Sequence, residues 1–474
     1  MAAEKFLKEA MIKKLDFVPT ECQKNLFEML GAFVMDDPSQ KWLMMISGYA
    51  GTGKTTAIGA FIGVLETLKF KYILTAPTGR SAKVLTNYTG KSAKTIHKQI
   101  YRQKSLKDGI GQFTLDVNNS KNTFYIVDEA SLLTNGYNSG SSLFGSGDLL
   151  DDLISYVRQE SSNRLILMGD PAQLPPIGMD KSPALDPDYL KRYVTPVTAT
   201  LRSVVRQEKE SGILKNATLL RNQIENEDDS LIKLNVEEYE DISRITGGDL
   251  IECIGDAMDK YGPDDTVVLC RSNNRANRYN MGIRQSVLFK EEQLSKGDKL
   301  MIVKNCYQFL ENIPELDFIA NGDVAELMKI SHYEERYGLH FATATLAFPD
   351  YNNVEITAKI VLDTLMSTSP ALSQEQQKAL FDAVYEDYNT IKGKRNRMKA
   401  VREDLYFNAL QIKYAAAITC HKSQGGQWKC VFIDNCFWND DITIDDKKWL
   451  YTAITRGIER VYLVNFKDLF FTGK

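Results

Sequence analysis

The chain has 474 residues, 43% apolar and 25% charged, with a formal net charge of −4. That length exceeds one hydrophobic core and calls for several domains. No apolar run reaches the roughly 18 residues of a membrane span, so no membrane partner is expected. The charged N-terminus lacks a secretory apolar core, and the acidic balance gives no overall pull on a phosphate backbone. Seven scattered cysteines without C-x-x-C spacing suit free thiols, and a cytoplasmic location is the expectation.

In chain order, MAAEKFLKEAMIKKLDF (1–17) reads as a short amphipathic helix. WLMMISG (42–48) is an apolar run entering a Gly-rich turn. KTTAIGAFIGVLETL then sets Ile58, Phe61, Ile62, Leu65 and Leu68 on one helical face. The apolar runs in KYILTAPTG, TFYIVDEAS and RLILMGDPAQLPP each end in polar, Gly- or Pro-rich turns. That is the pattern of buried parallel strands whose carboxyl ends carry function. Residues 200–260 read as mostly helical, and the strand theme returns in TVVLCRSNN (266–274), KCVFIDN (429–435) and RVYLVNF (460–466). The chain is therefore α/β, with one sheet in each half.

Two stretches interrupt the first half. Residues 98–121 are polar with Gly and Asn turns and predict a small hairpin, while TNGYNSGSSLFGSGD (134–148) predicts a loop. Between about 300 and 405, the pieces KLMIVKN, DVAELMKI, HFATATLAF and VEITAKIVL precede a charged helical stretch. They predict a small barrel with helices, inserted in the second sheet domain. Its segment KGKRNRMKAVR (392–402) holds six basic residues and no acidic one, the composition of a solvated helix face or of a phosphate contact.

GYAGTGKT (48–55) fits G-x-x-x-x-G-K-[ST] between a predicted strand and a predicted helix. Gly48, Ala50, Gly51, Thr52 and Gly53 would line ATP phosphates with backbone N–H groups. Lys54 would reach the β- and γ-phosphates, Thr55 would give Mg²⁺ a hydroxyl, and Thr56 would continue the helix start. Asp128, ending the strand of IVDEAS, suits Mg²⁺, and adjacent Glu129 suits activation of a water. Gln173 in GDPAQLPP is placed to sense a γ-phosphate. No second phosphate loop follows, so one nucleotide would serve both sheets from between them. A cation from elsewhere in the chain would then complete the site, with Arg206 in VVRQ and Arg456 in YTAITRGIER as candidates. CHKSQGGQW (420–428) fits neither zinc spacing nor a nucleophile turn.

The order of these motifs resembles the superfamily 1 helicases, in their 5′-to-3′ group of RecD, the phage helicase Dda and the PIF-type enzymes, and most of all the RecD/Dda branch. The likeness runs from about Phe17 to Arg460. F-x-P-T-x-x-Q (17–23) resembles the adenine-reading segment and gives Gln23 that role. APTGRSAKVL and TIHK resemble strand-gripping motifs, which puts Pro77, Thr78, Thr95, His97 and Lys98 near single-stranded DNA. VVRQ and YTAITRGIER resemble the motifs whose arginines touch the γ-phosphate. KGDKLMIVKN and ANGDVAEL resemble the entry to an inserted SH3-like domain, with Asn321 near the strand. YAAAITCHKSQGGQW resembles the fifth motif. There Thr419, His421, Lys422 and Ser423 would face DNA phosphates, and Gln424 and Gly425 the nucleotide.

The resemblance implies two RecA-like domains, 1–97 with 122–215 and 216–300 with 406–474. It also implies a hairpin wedge at 98–121 and an SH3-like and helical insertion at 301–405. Tyr101 and Phe113 are the aromatics the wedge offers for stacking on a base pair. The implied activity is a monomeric, Mg²⁺- and ATP-dependent helicase. It would translocate 5′ to 3′ on single-stranded DNA and open forks, with other replication or repair proteins as partners. The residues alone leave open a translocase subunit of a repair nuclease, a P-loop phosphotransferase and a non-catalytic nucleotide-gated module.

Overall fold

The structure, a computed structural model, describes residues 2–103, 113–136, 145–204, 211–306, 319–437 and 441–472. Helices α1 (Ala2–Ile12) and α2 (Glu21–Met35) open the chain. β1 (Leu43–Gly48), α3 (Lys54–Thr67), β2 (Lys71–Ala76), α4 (Gly79–Thr89), β3 (Ala93–Thr95) and α5 (Ile96–Ile100) follow. A hairpin of β4 (Tyr101–Gln103) and β5 (Phe113–Leu115) precedes β6 (Thr123–Val127), α6 (Leu149–Arg158), β7 (Arg164–Gly169), α7 (Pro187–Leu190) and β8 (Val197–Leu201).

These strands form a six-stranded parallel sheet in the order β3-β2-β6-β7-β1-β8. β1, β6 and β7 are buried throughout, which is why their sequences are continuous apolar runs rather than alternating ones. One face packs Leu7, Leu30, Phe61 and Phe124, and the other Ile100, Tyr125, Leu153 and Leu167. Of the predicted helical stripe, Ile58, Phe61, Ile62 and Leu65 are buried, while Leu68, just past the end of α3, is exposed.

The second lobe takes α8 (Gly212–Glu225), β9 (Ile242–Ile245), α9 (Leu250–Tyr261), β10 (Thr266–Cys270) and α10 (Asn273–Ser286). Next comes a closed barrel of β11 (Lys299–Ile302), β12 (Val324–Arg336), β13 (Leu339–Phe348), β14 (Val354–Val361) and, beyond α11 (Gln374–Asp387) and α12 (Lys394–Glu403), β15 (Leu410–Tyr414). β16 (Ala417–Thr419), α13 (Cys420–Ser423), β17 (Trp428–Asp434), α14 (Ile444–Ile454) and β18 (Gly457–Val464) return to the lobe. The second sheet is five-stranded and parallel, β16-β10-β17-β18-β9.

Two features differ from the sequence reading. Residues 200–260 are not all helical, because Ile242–Ile245 forms the edge strand of the second sheet. The barrel also extends past residue 405, since β15 closes it by pairing Ile302 with Ile412 and Ile360 with Leu410. The long far ends of β12 and β13 carry a satellite core in which Leu339 and Phe341 meet Leu380, Val384 and Val401 of α11 and α12. The basic segment 392–402 thus spans most of a helix that buries only Val401.

Candidate functional site

The phosphate loop leaves β1 and enters α3, flanked by β7 and β8 at the carboxyl edge of the first sheet. Gly51 and Gly53 both have φ of +74°, a left-handed conformation that costs an L side chain about 1 kcal/mol or more. Lys54 Nζ donates to the carbonyls of Gly48 and Tyr49, the latter at 3.1 Å. Asp128 lies just beyond β6 and accepts from the Glu129 N–H at 2.8 Å. Burial first, and the Glu129 charge second, push its pKa up to about 7, with Lys54 opposing. Glu129 holds φ of +53°, rare for a long side chain, and such strain concentrates at working sites. Gln173 is buried and its Oε1 has no hydrogen-bond partner among the described residues.

One cleft gathers these groups with residues of the second lobe. Its walls include Lys54, Thr55, Thr56, Asp128, Glu129 and Gln173 on one side and Gly425, Thr455 and Arg456 on the other. Arg456 is 3% exposed and wired into its own lobe. It donates to Thr452 O at 3.0 Å, Gly426 O at 3.2 Å and Thr455 Oγ1 at 3.2 Å. Arg206 lies outside the described residues.

The lobes are joined around the 170–174 turn. Tyr451 of α14, fully buried, accepts from the Ala50 N–H at 2.9 Å and donates to Asp170 Oδ2 at 2.7 Å. Thr452 Oγ1 accepts from Leu174 N at 2.9 Å, and Gln424 Nε2 donates to Leu174 O at 2.7 Å. At Gly425, φ +74°, an added Cβ would lie 1.9 Å from Ser81 Oγ of α4. That distance leaves no room for a side chain at this crossing.

Four residues expected at the nucleotide are not among the cleft walls: Gly48, Thr52, which is buried and donates from its hydroxyl to Tyr49 O at 2.7 Å, Gln23 and Gln424. Gln23 is fully buried and outside the cleft walls. Its Oε1 accepts from Thr20 N in a capping box and its Nε2 donates to Thr52 O at 3.2 Å, so it braces the phosphate loop against α2. Gln424 is also absent from the walls, its amide being committed to Leu174.

The strand-side residues fall on short helix starts. Thr78 caps α4, accepting from Ser81 N at 3.1 Å, and Thr95 caps α5, accepting from Lys98 N at 3.2 Å. Pro77 precedes that first cap, and Thr419 holds the same position before α13 with no capping bond of its own. Burial lowers the His97 pKa to about 4, so this ring is neutral at pH 7 and offers no cation. Burial, with Arg271 second, lowers that of His421. Lys422, beside Lys413, is lowered to about 8 by burial, and its Nζ has no hydrogen-bond partner among the described residues. Ser423 is fully buried and donates to Cys420 O at 2.7 Å, so its hydroxyl serves the turn. Asn321 is exposed on the barrel rim, its N–H donating to Asn305 Oδ1 at 2.6 Å. In the hairpin, Tyr101 is no wedge tip, because it is buried and donates to Asp152 Oδ2 at 2.6 Å. Phe113 sits half-buried against the same core. Residues 104–112 between them lie outside the described residues.

Residues 35–249 match the family model of an AAA domain, and residues 414–464 that of a UvrD-like helicase C-terminal domain. Over 164 residues, 34% of this chain and 20% of the relative, it is 31% identical to the ATP-dependent RecD2 DNA helicase of Deinococcus radiodurans. Over 467 residues, 90% of this chain and 37% of the relative, it is 23% identical to an uncharacterized protein of Methanocaldococcus jannaschii. The chain thus spans little more than a third of one curated relative and a fifth of the other. Among solved structures, Bacteroides Pif1 helicase in complex with ADP-AlF3 and ssDNA aligns over 97% of this chain and 95% of that one, at 14% identity and a TM-score of 0.48. Candida albicans Pif1 helicase aligns over 95% of each chain at 15% identity and a TM-score of 0.44. The two matched models, an AAA domain followed by a UvrD-like helicase C-terminal domain, fit the superfamily 1 helicase resemblance carried by the motifs.

Further side chains at the cleft and between the lobes have no role assigned from the sequence, although Phe17 opens the F-x-P-T-x-x-Q motif. Phe17 and Tyr88 bring aromatic rings to the cleft walls, and Tyr88 OH reaches Gln427 Oε1 at 3.5 Å across the lobes. Tyr451 lies in the last turn of α14 and stands five residues before Arg456 in YTAITRGIER, so its place in the same motif was the available clue. The barrel meets α4 as well. Lys83 donates to Pro349 O at 3.0 Å and pairs with Asp350 at 2.8 Å, and Tyr351, hydrogen-bonded to Asp323, sits against Gly79.

Proposed function

We propose that this protein is a helicase that hydrolyses ATP with Mg²⁺ and uses the cycle to move 5′ to 3′ along single-stranded DNA and open forked duplexes. The observation that carries the reading is the shared cleft, with Lys54, Asp128 and Glu129 facing Arg456 and Gly425 of the other lobe. Neither lobe alone assembles that set. The direction rests on the resemblance to the 5′-to-3′ group.

The donor set fits a dication, because two adjacent carboxylates, one of them buried, are opposed mainly by Lys54. Thr55 and Asp128 would hold Mg²⁺, which supplies neutralisation of phosphate charge when bound. Lys54 exchanges its loop carbonyls for β- and γ-phosphate oxygens. Glu129 accepts the proton of the attacking water, and Gln173 turns its Oε1, unpartnered among the described residues, to that water. Arg456 meets the charge that develops on the γ-phosphate when the lobes close. A contact made in one state and lost in the other supplies the differential free energy of a motor. Pro77, Thr78, Thr95 and Lys98 of the first lobe and Thr419, His421 and Lys422 of the second, with Asn321 of the barrel, form the strand path.

The test is the ATPase rate with and without single-stranded DNA, followed by forks carrying only a 5′ or only a 3′ tail. DNA stimulation and opening of the 5′-tailed fork are expected, with turnover abolished in Lys54→Ala. A rate indifferent to DNA would point to a phosphotransferase. Stimulation without unwinding would leave a translocase that needs a partner.

A further inference from the structure

One contact between the lobes takes no part in the chemistry above. Arg80, in the first turn of α4, lays its guanidinium over the indole of Trp428 at the start of β17, 3.8 Å from the ring centroid. Trp428 is 4% exposed, so the flat cation rests on a desolvated aromatic face, the setting in which such stacking is strongest. Gly426 makes the approach possible. A Cβ there would come 2.8 Å from Arg80 Nε and 2.7 Å from the Trp428 ring.

The same turn is held from the cleft by Arg456. Its guanidinium donates to Gly426 O at 3.2 Å, and its carbonyl accepts from Trp428 N at 3.0 Å. Residues 426–428 are therefore gripped on one side by the arginine facing the nucleotide and on the other by an arginine of the first lobe. Arg80 directly follows Pro77, Thr78 and Gly79, the start of a strand-gripping motif. It belongs to the first lobe, whereas Trp428 and Arg456 belong to the second. Attraction of a cation to a ring fades beyond about 6 Å, so any separation of the lobes by a few ångströms would break the stack.

We propose that Arg80 is a positioning residue. Its stack on Trp428 carries strand engagement at the head of α4 through the 426–428 turn to Arg456, so that DNA accelerates hydrolysis. This deepens the helicase reading and rests on it. Because coupling is reciprocal, nucleotide held in the closed cleft also strengthens the grip on the strand.

The experiment measures ATPase of the full chain with and without an oligo-dT strand, together with oligo-dT affinity. It compares wild type, Arg80→Ala, Arg80→Lys, Trp428→Phe and the Arg80→Ala/Trp428→Phe pair, each checked by thermal melting. Arg80→Ala is expected to keep the DNA-free rate and the oligo-dT affinity of the nucleotide-free protein while losing stimulation about five- to thirtyfold. Arg80→Lys, which keeps the charge but not the flat face, follows it. Trp428→Phe shifts stimulation in the same direction by less, and the pair is no worse than Arg80→Ala alone. Full stimulation in Arg80→Lys, additive loss in the pair, or a fall in nucleotide-free oligo-dT affinity confined to the Arg80 variants would each overturn the role. The last outcome would make Arg80 a strand contact. A wild-type ATPase indifferent to oligo-dT would instead overturn the helicase reading itself.

Discussion

Gly425→Ala is the sharpest probe of the closed arrangement, because the structure sets its cost from two sources. A non-glycine residue at φ +74° loses about 1–2 kcal/mol. Its methyl would fall 1.9 Å from Ser81 Oγ, forcing that hydroxyl to rotate and abandon its 2.6 Å bond with Thr78, worth about 1 kcal/mol. The backbone cost falls on the second lobe itself and lowers its melting temperature, whereas the clash weakens closure by about 1 kcal/mol or more, at least about fivefold in its equilibrium. The fold of each lobe is untouched by the clash, so the assay is kcat/KM for ATP with single-stranded DNA at saturation, beside a melting curve. Adding Ser81→Ala removes the oxygen but leaves Ser81 Cβ 3.1 Å from the new methyl. It should return about 1 kcal/mol of the loss and no more. A Gly425→Ala enzyme within about twofold of wild type would mean that turnover never passes through the crossing seen here.

Three further outcomes follow from other contacts. Arg456→Ala should lose hydrolysis by about two orders of magnitude or more with ATP binding far less affected, and equal loss of both would remove it from the γ-phosphate; its three hydrogen bonds also predict a lower melting temperature. Tyr451→Phe deletes the link from the phosphate loop to Asp170 and should cost about 2–3 kcal/mol of interlobe stability, read as a rise in KM for ATP; an unchanged KM refutes it. Asp323 is pushed up to about 7, by burial above all. The folded state therefore holds its proton more tightly than the unfolded one, and stability falls as pH rises from the ordinary carboxyl range through about 7, by up to about 4 kcal/mol. Asp323→Asn should flatten that slope in pH-resolved melting, and an identical slope would show the carboxyl to be charged throughout.

The buried strands and the loops at their carboxyl ends were legible because each is local: an apolar run followed by Gly, Pro or an acid announces itself within ten residues. Lys54, Asp128, Glu129 and Gln173 were named that way, Arg456 was named as one of two candidate cations for the same nucleotide, and all five line the cleft. The edge strand Ile242–Ile245 was not legible, since half-burial leaves no unbroken apolar run. Gln23, Ser423 and Gln424 were assigned to ligands through the resemblance of their motifs, and Tyr101 through its aromatic ring. Their polar atoms are spent on Thr52, Cys420, Leu174 and Asp152, which only the third dimension can reveal. The same holds for Tyr451 with Asp170 and Arg80 with Trp428, pairs separated by hundreds of positions and sharing no periodicity.

Helix α4 spans only Gly79–Thr89, yet Gly79 abuts the barrel, while Arg80, Ser81 and Tyr88 meet the second lobe at Trp428, Gly425 and Gln427. Three bodies share one eleven-residue bearing, and it has been cut to zero clearance with the smallest side chains available. A bearing without play converts any displacement of one part into a displacement of the others. It also means that a single added methyl along this face jams the machine while every separate part stays sound.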